Sequence, residues 1–407
     1  MESKSATAPA PPREVVILAG VRTAIGKYGG GLKDVPPADL AAKVTREAVT
    51  RAGIDASDVG HVVFGHVIHT EQRDMYLARA AAINAGLPVE TPALTVNRLC
   101  GSGLQAIISA AQTIALGEAD VAVAGGAESM SRAQYWLPGL RWGQRMGNGG
   151  VIDAMIAALT DPFDDCHMGV TAENIAEKWS ITRQDQDALA MESHHRAAAA
   201  IADGRFTSQI LPVEIRGRKG TTIFAQDEHV RAGITLADLA GLRPAFADDG
   251  SVTAGNASGV NDAAAAVVLA DGATARAAGL TPLGRLVAYS HVGVEPRYMG
   301  IGPVPAVRSV LAKSGLALSD IDVFEVNEAF AAQALAVARD LDLPAEKTNP
   351  NGSGVGLGHP IGATGAILTV KVLYELARIG GRYGLVTMCI GGGQGIAAIY
   401  ERATGDG

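Results

Sequence analysis

A chain that repeats itself at long range has few ways to fold, and this one does. The run Gly53-Ile54-Asp55-Ala56-Ser57-Asp58-Val59 lies between a helical and a strand pattern. It recurs between the same two patterns as Gly315-Leu316-Ala317-Leu318-Ser319-Asp320-Ile321, at an offset of 262 residues. The same offset lays Cys100-Gly101-Ser102-Gly103 over Gly362-Ala363-Thr364-Gly365. A little further on, the strand pattern ending at Gly125-Gly126 has its counterpart in 385–388, which ends at Cys389 and a glycine run. Two copies of one mixed αβ unit, each opening loops at equivalent strand ends, can pack about a pseudo-dyad so that the loops meet at one site.

Strands alternate with helices through the first copy, which is the α/β signature. Residues 14–18 read as an apolar strand closed by Gly20, and 37–52 as a helix ended by Gly53. Strand patterns follow at 59–67, 93–96 and 120–124, the last expected to stop at Gly125-Gly126-Ala127-Glu128; helical patterns lie at 76–85 and 104–116. From about Ser131 to Gly150 periodicity lapses, with Trp136, Trp142 and several Arg and Gly. A long helix then spans about 183–202, and strand patterns resume near 262. The expected organisation is a flexible tail at 1–13, a first half at 14–132 plus 262–282, an insertion at 133–261, and a second half at 283–407.

Composition narrows the class. At 407 residues, 48% hydrophobic, 19% charged and only 4% aromatic, the chain suits a large core of small side chains. A net charge of −8 gives no support for nucleic-acid binding. The three cysteines, Cys100, Cys166 and Cys389, form no C-x-x-C pair and no disulfide framework, so a reducing, cytoplasmic setting without structural zinc is expected. The first residues lack the apolar core of a secretory signal, and the apolar run 263–270 is too short to span a membrane.

Four loops carry chemistry-bearing residues. Cys100 sits where the 93–96 strand hands over to the 104–116 helix. Helix N-termini favour thiolates, so it can be read as a nucleophile, but taken alone it reads more simply as a small buried residue in a tight turn. The other loops are Asn327-Glu328-Ala329-Phe330, Gly358-His359-Pro360 and Cys389-Ile390-Gly391-Gly392-Gly393. Singly each is weak. A dinucleotide reading of Gly391-x-Gly393-x-Gly395 fails, because the helix, strand and acidic residue it requires do not follow. No G-x-S-x-G elbow is present. His66 and His69 on a strand would face opposite sides, which disfavours a metal site with His61. His194 and His195 read as surface residues of their helix, and Arg216, Arg218 and Lys219 as a solvated basic loop.

Taken together and in order, Asn97-Arg98-Leu99-Cys100-Gly101-Ser102-Gly103, Asn-Glu-Ala-Phe, Gly-His-Pro and Cys-x-Gly-Gly-Gly resemble the signature of the thiolase family. The similarity extends through Gly125-Gly126-Ala127-Glu128-Ser129-Met130, His167-Met168-Gly169 and Gly255-Asn256-Ala257-Ser258-Gly259, almost the whole chain. The resemblance implies a thiolase-like fold and a β-ketothiolase. Such an enzyme condenses acyl-CoA with acetyl-CoA, or cleaves 3-oxoacyl-CoA, through an acyl-cysteine.

It implies that Cys100 carries the acyl group, His359 takes its proton and Cys389 moves the α-proton of acetyl-CoA. Asn327 would hold a water at the enolate oxygen, and Gly391 would supply an oxyanion N–H together with that of Cys100. His167, Met168, Arg231, Phe246, Ala254 and Ser258 would line the CoA path in the inserted loop domain, and Met299, Ala329 and Phe330 the acyl side. No metal or resident cofactor is implied; CoA thioesters are the substrates. The 133–150 stretch would join dimers into a homotetramer. Fatty-acid metabolism or polyhydroxyalkanoate biosynthesis is the implied setting.

Two positions depart from acetoacetyl-type members. Asp238 replaces a Ser near the CoA head group, and Asn349-Pro350-Asn351-Gly352-Ser353-Gly354 replaces Asn-x-Asn-Gly-Gly-Ala. This pattern fits a bacterial branch using short to medium chains. Two other readings share the fold: a ketoacyl-synthase-type condensing enzyme, which would pair its nucleophile with two His or with His and Asn rather than with Cys389, and a non-catalytic CoA-binding protein.

Overall fold

The computed structural model describes residues 13–217 and 220–403. The expected tail, save Arg13, and both Arg218 and Lys219 of the basic loop lie outside the described residues. Nine strands define the main path of one large sheet: β1 (Val15–Thr23), β2 (His61–Gly65), β3 (Ala93–Val96), β4 (Val121–Ser129), β5 (Asn261–Asp271), β6 (Gly284–Gly293), β7 (Ile321–Val326), β8 (Tyr383–Ile390) and β9 (Gln394–Arg402). Their order is β7-β8-β9-β6-β1-β5-β4-β2-β3.

Read outward from the β1–β6 junction, the order is palindromic. β1, β5, β4 and β2 mirror β6, β9, β8 and β7, with the same directions: antiparallel, antiparallel, then parallel. The junction itself is only two residue pairs, Val16 with Arg285 and Ile17 with Gly284. The repeat is therefore a structural pseudo-dyad, and β4 and β8 begin 262 residues apart, at Val121 and Tyr383.

The helices obey the same symmetry. α1 (Pro37–Ala52) and α2 (Leu77–Ala85) cover one outer face of the sheet; α3 (Ser102–Ala115) lies on the inner face. In the other half, α6 (Pro303–Ser314) packs on the outer face and α8 (Thr364–Ile379) on the inner. α3 and α8 pack against each other in the middle layer, with Leu104, Ile107, Ile108, Ile367, Val370 and Leu373 in one core cluster. β5 shows why both its faces are buried. Ala263, Ala265, Val267 and Leu269 join that cluster, while Ala264, Ala266, Val268 and Ala270 join the cluster under α1 and α2, the period-two alternation of a strand.

The chain leaves the sheet after β4 and returns at β5. Between them lie α4 (Met168–Lys178), α5 (Arg183–Ala202) and short strands; α7 (Ala331–Leu341) follows β7. The excursion is tied down, because Ile210–Leu211 pairs in parallel with Arg22 and Thr23 of β1. The buried Arg22 guanidinium also makes a bidentate pair with Asp227 (2.7 and 2.9 Å).

Two strands run past the glycines expected to end them. β1 runs past Gly20 to Thr23, and β4 runs through Gly125-Gly126 to Ser129. A Cβ on Gly125 would come within 2.1 Å of Ala265 O, and one on Gly126 within 2.1 Å of Gly362 O. These glycines permit close approach of neighbouring backbone; they do not terminate the strand.

Candidate active site

All four loops open at the same end of the paired half-sheets, where the pseudo-dyad brings them around a cavity of about 790 Å³. Cys100 and His359 line it, as do all nine residues expected on the CoA and acyl paths: His167, Met168, Arg231, Phe246, Ala254, Ser258, Met299, Ala329 and Phe330. Cys389, Asn327 and Gly391 sit behind this lining. Cys389 is buried at the end of β8, packed with Met168, Met299, Ala329 and Phe330.

The Cys100 turn is strained and tightly bonded. Leu99 adopts φ +44°, uncommon for a leucine. Its N–H donates to Asn97 Oδ1 (2.9 Å), and the Ser102 hydroxyl accepts from Arg98 N (2.8 Å) while donating to Leu99 O (2.7 Å). This holds Cys100 one residue before the N-cap of α3. Burial pushes its thiol up to about 11, against the pull of the backbone N–H groups of Gly391 and of Cys100 itself. Cys389 is raised further, first by burial and then by the charge that Cys100 would carry as a thiolate. Both resting thiols are neutral at physiological pH.

His359 is held from both sides. Its N–H donates to Asn261 Oδ1 (2.9 Å), and Gly358 before it takes φ +110° with no room for a Cβ, which would lie 2.5 Å from Asn261 Cγ. Nδ1 lies 2.7 Å from Thr364 Oγ1, and Nε2 lies 3.4 Å from Asn327 Nδ2. Burial lowers its pKa to about 4, so the imidazole is neutral. Asn327 Oδ1 is buried without a partner among the described residues.

Glu328 anchors the Asn327 loop. Its carboxylate accepts from Ser193 Oγ (2.5 Å), Asn349 Nδ2 (2.8 Å) and Val355 N (3.3 Å). Ser353 Oγ donates to Val326 O at 3.0 Å. The departing 349–354 run thus braces this loop. Asp238 accepts from Thr235 N and Oγ1 (3.0 and 2.6 Å), capping the short helix Leu236–Ala240.

The mouth is aromatic and basic. The His167 ring stacks on Phe246 at 4.8 Å, and Phe246 meets Phe330 edge-on at 6.1 Å. Arg231 N–H donates to His194 Nδ1 (3.2 Å), and His194 stacks on His229 at 5.9 Å. His194 is 2% exposed, so the surface reading of it was wrong: α5 turns this face inward to hold the 229–231 rim. His66 and His69 do not face apart either. β2 ends at Gly65, and their rings stack at 5.3 Å. Among the described residues no cluster of three or more His, Cys, Asp or Glu side chains is arranged for a metal.

Sequence reasoning missed Asn261, Thr364 and Glu128. Glu128 is fully buried, and its carboxylate accepts from Val67 N, Ile68 N and Gly362 N (3.1, 3.1 and 2.9 Å), tying two loops of opposite halves beside Cys100. Burial raises its pKa to about 8.

The family models for the thiolase N-terminal and C-terminal domains match residues 15–273 and 280–402. The chain is 63% identical to beta-ketothiolase BktB of Cupriavidus necator over 96% of its length and 99% of the relative's. It is 50% identical to acetyl-CoA acetyltransferase of Pseudomonas aeruginosa, over 96% of this chain and 100% of that one. Among solved structures, Bacillus anthracis acetyl-CoA acetyltransferase superposes with a TM-score of 0.95 at 50% identity, covering 97% of this chain and 100% of the other. Human mitochondrial 3-ketoacyl-CoA thiolase gives 0.94 at 44% identity, covering 96% and 99%. With both family models matched and near-complete mutual coverage by enzymes of one kind, the chain belongs to the thiolase family.

Proposed function

We propose that this enzyme condenses short- to medium-chain acyl-CoA with acetyl-CoA, and cleaves 3-oxoacyl-CoA with CoA, using Cys100, His359, Cys389, Asn327 and Gly391 in the roles their geometry suits. The observation that carries this reading is the meeting of Cys100 and His359 in one cavity whose wall hides the second cysteine.

A thiol at about 11 is almost wholly protonated at neutral pH, so it needs an adjacent base. Neutral His359 takes the Sγ proton, the thiolate attacks the thioester carbonyl, and the C–S bond to CoA breaks. The departing CoA thiolate takes the proton back from His359. N–H groups of Cys100 and Gly391 stabilise the oxyanion, a contribution of about 10²–10³ in rate for one such donor.

Acylation turns Cys100 into a neutral thioester. The charge that would have opposed ionisation of Cys389 is then absent. Cys389 first gives its own Sγ proton to Nε2 of His359, and the resulting thiolate removes the α-proton of acetyl-CoA. The enolate oxygen accepts from the imidazolium N–H and from a water on Asn327, whose Oδ1 has no partner among the described residues. The carbanion attacks the acyl carbonyl, the bond to Cys100 Sγ breaks, the Cys100 thiolate takes the proton back from His359, and 3-oxoacyl-CoA leaves. Every step moves a proton or an acyl group between this chain and CoA thioesters, so the scheme calls on no metal or resident cofactor. The apolar wall of Met130, Met155, Leu159 and Ile361 supports acyl chains longer than acetyl.

Stacked His167 and Phe246, with Arg231 at the rim, suit a pantetheine arm ending in phosphate. One of the solved relatives, the human mitochondrial thiolase, was determined in complex with CoA. The ketoacyl-synthase and non-catalytic readings find no support among these relatives. A homotetramer is the proposed assembly, because the 135–152 arm exposes Trp136, Leu140, Trp142 and Met146.

The test is intact-protein mass spectrometry after mixing with acetoacetyl-CoA. An acetyl adduct on Cys100, absent in Cys100→Ala along with thiolysis, is expected; thiolysis surviving in Cys100→Ala refutes the scheme.

A further inference from the structure

Beside the proposed base sits a hydroxyl that the mechanism does not use. Thr364 is the first residue of α8 and is 3% exposed. Its Oγ1 lies 2.7 Å from Nδ1 of His359 and 3.0 Å from the carbonyl oxygen of Pro360. A hydroxyl has a single proton to give. The Pro360 oxygen, which also accepts the N–H groups of Ala363 and Thr364 (2.8 and 3.0 Å), has only lone pairs to offer.

If Nδ1 were bare, one of the two hydroxyl contacts would set lone pair against lone pair. If Nδ1 carries the proton, both contacts are hydrogen bonds: Nδ1–H donates to Oγ1, and Oγ1–H donates to Pro360. A neutral imidazole protonated at Nδ1 has a bare Nε2. That nitrogen faces Asn327 Nδ2, which is a donor.

The repeat supplies an independent observation. Ser102, 262 residues earlier, is the first residue of α3. Its hydroxyl likewise bridges a donor and a carbonyl, Arg98 N and Leu99 O. There the donor is a backbone N–H, so the direction of both bonds is beyond dispute. The same position in the two halves thus holds a hydroxyl that accepts from the catalytic loop and donates to a backbone carbonyl.

The geometry points to Thr364 as a positioning residue that fixes His359 in the Nδ1–H tautomer and so presents a bare Nε2 to the Cys100 thiol. This rests on the reading of His359 as the base. Thr364 touches no reacting atom; it acts through the ring.

The experiment compares wild type, Thr364→Val, Thr364→Ser and His359→Ala in acetoacetyl-CoA thiolysis, together with ¹⁵N spectra of histidine-labelled protein in which His359 is identified by its loss in His359→Ala. Wild-type His359 should show a protonated Nδ1 and a bare Nε2. Thr364→Val should lower kcat by about tenfold or more, between the effect of one hydrogen bond and the ~10⁴ of a triad histidine in the wrong tautomer, with KM held within about twofold. Thr364→Ser should restore kcat.

A wild-type His359 protonated at Nε2 overturns the proposal whether or not any Thr364 variant folds. So does Thr364→Val with kcat within about twofold of wild type while His359→Ala is inactive; the base reading then survives. Wild-type thiolysis in His359→Ala removes the base reading itself, and the proposal with it.

Discussion

Gly103 and Gly365 occupy equivalent places in the repeat, in the first turns of α3 and α8, and each faces the other helix's backbone. A Cβ on Gly365 would stand 2.3 Å from Leu104 N, about 1 Å short of the 3.4 Å at which ordinary contact begins; one on Gly103 would stand 2.8 Å from Ala366 N. Backbone atoms cannot rotate aside, so the helices must part. Overpacking of this kind costs about 1–3 kcal/mol. Alanine returns about 1 kcal/mol of helix propensity, so Gly365→Ala should lose up to about 2 kcal/mol, which for a chain of this length is about 2 °C in Tm at fixed protein concentration.

Activity should fall much further. The Cys100 turn enters α3 and the His359 loop enters α8, so parting the helices parts the reacting groups. A misplacement of about 1 Å costs about 10² in rate. Parting the helices once makes room for both methyls, so the double variant should lose less stability than the two singles together, by about 1 kcal/mol. Thermal unfolding and thiolysis kinetics on the four proteins measure this. Wild-type kcat in Gly365→Ala, or full additivity in the double variant, would refute the claim that these two helices meet backbone to backbone at the dyad.

Acid acts on the fold through opposed buried groups. His194, His229 and His359 each sit at about 4 because burial disfavours the imidazolium, so at these sites the folded state binds fewer protons than the unfolded one, whose histidines titrate near 6.5. Their contribution is complete above pH 6.5 and is lost as pH falls toward 4, by up to about 3 kcal/mol for the fully buried His359. Glu128, raised to about 8, and Glu325, raised to about 7, take up protons in the folded state and gain stability over the same fall. Glu128→Gln removes part of that offset, so its urea midpoint should drop more between pH 7.5 and 4.5 than the wild type's, and parallel profiles would contradict this. In the arm, Trp142 and Met146 are 88% and 91% exposed, and replacing both by Ser should halve the sedimenting mass from four chains to two. A wild-type protein that already sediments as two chains would end the tetramer reading.

The repeat was legible because loop and cap residues mark boundaries in both halves: Gly53 and Gly315 both close helices in the left-handed conformation. The site was legible where residue types are constrained by chemistry, as at Cys100 and His359. What failed had a common cause. Gly125 and Gly126 carry the same letters as a turn, yet their purpose is contact with residues 265 and 362, far away in sequence. His194 lies on a helix with little amphipathic contrast, and its burial comes from the 229–231 rim folding over it. Asn261, Thr364 and Glu128 bond to loops 98, 5 and 234 residues distant or near, and polar residues in apolar or glycine-rich runs give no hint of such partners.

The place of β9 in the sheet bears on how the chain is made. It follows every other strand in sequence, yet it lies between β6 and β8 and pairs with both. A nascent chain emerging in order therefore holds two long, apolar strand edges open until residues 394–402 arrive. Unpaired edges of this kind recruit other chains. The second half cannot close progressively as it is synthesised; its sheet zips shut in one late step, and a chain cut short before Gln394 would be left with two sticky edges rather than one missing strand.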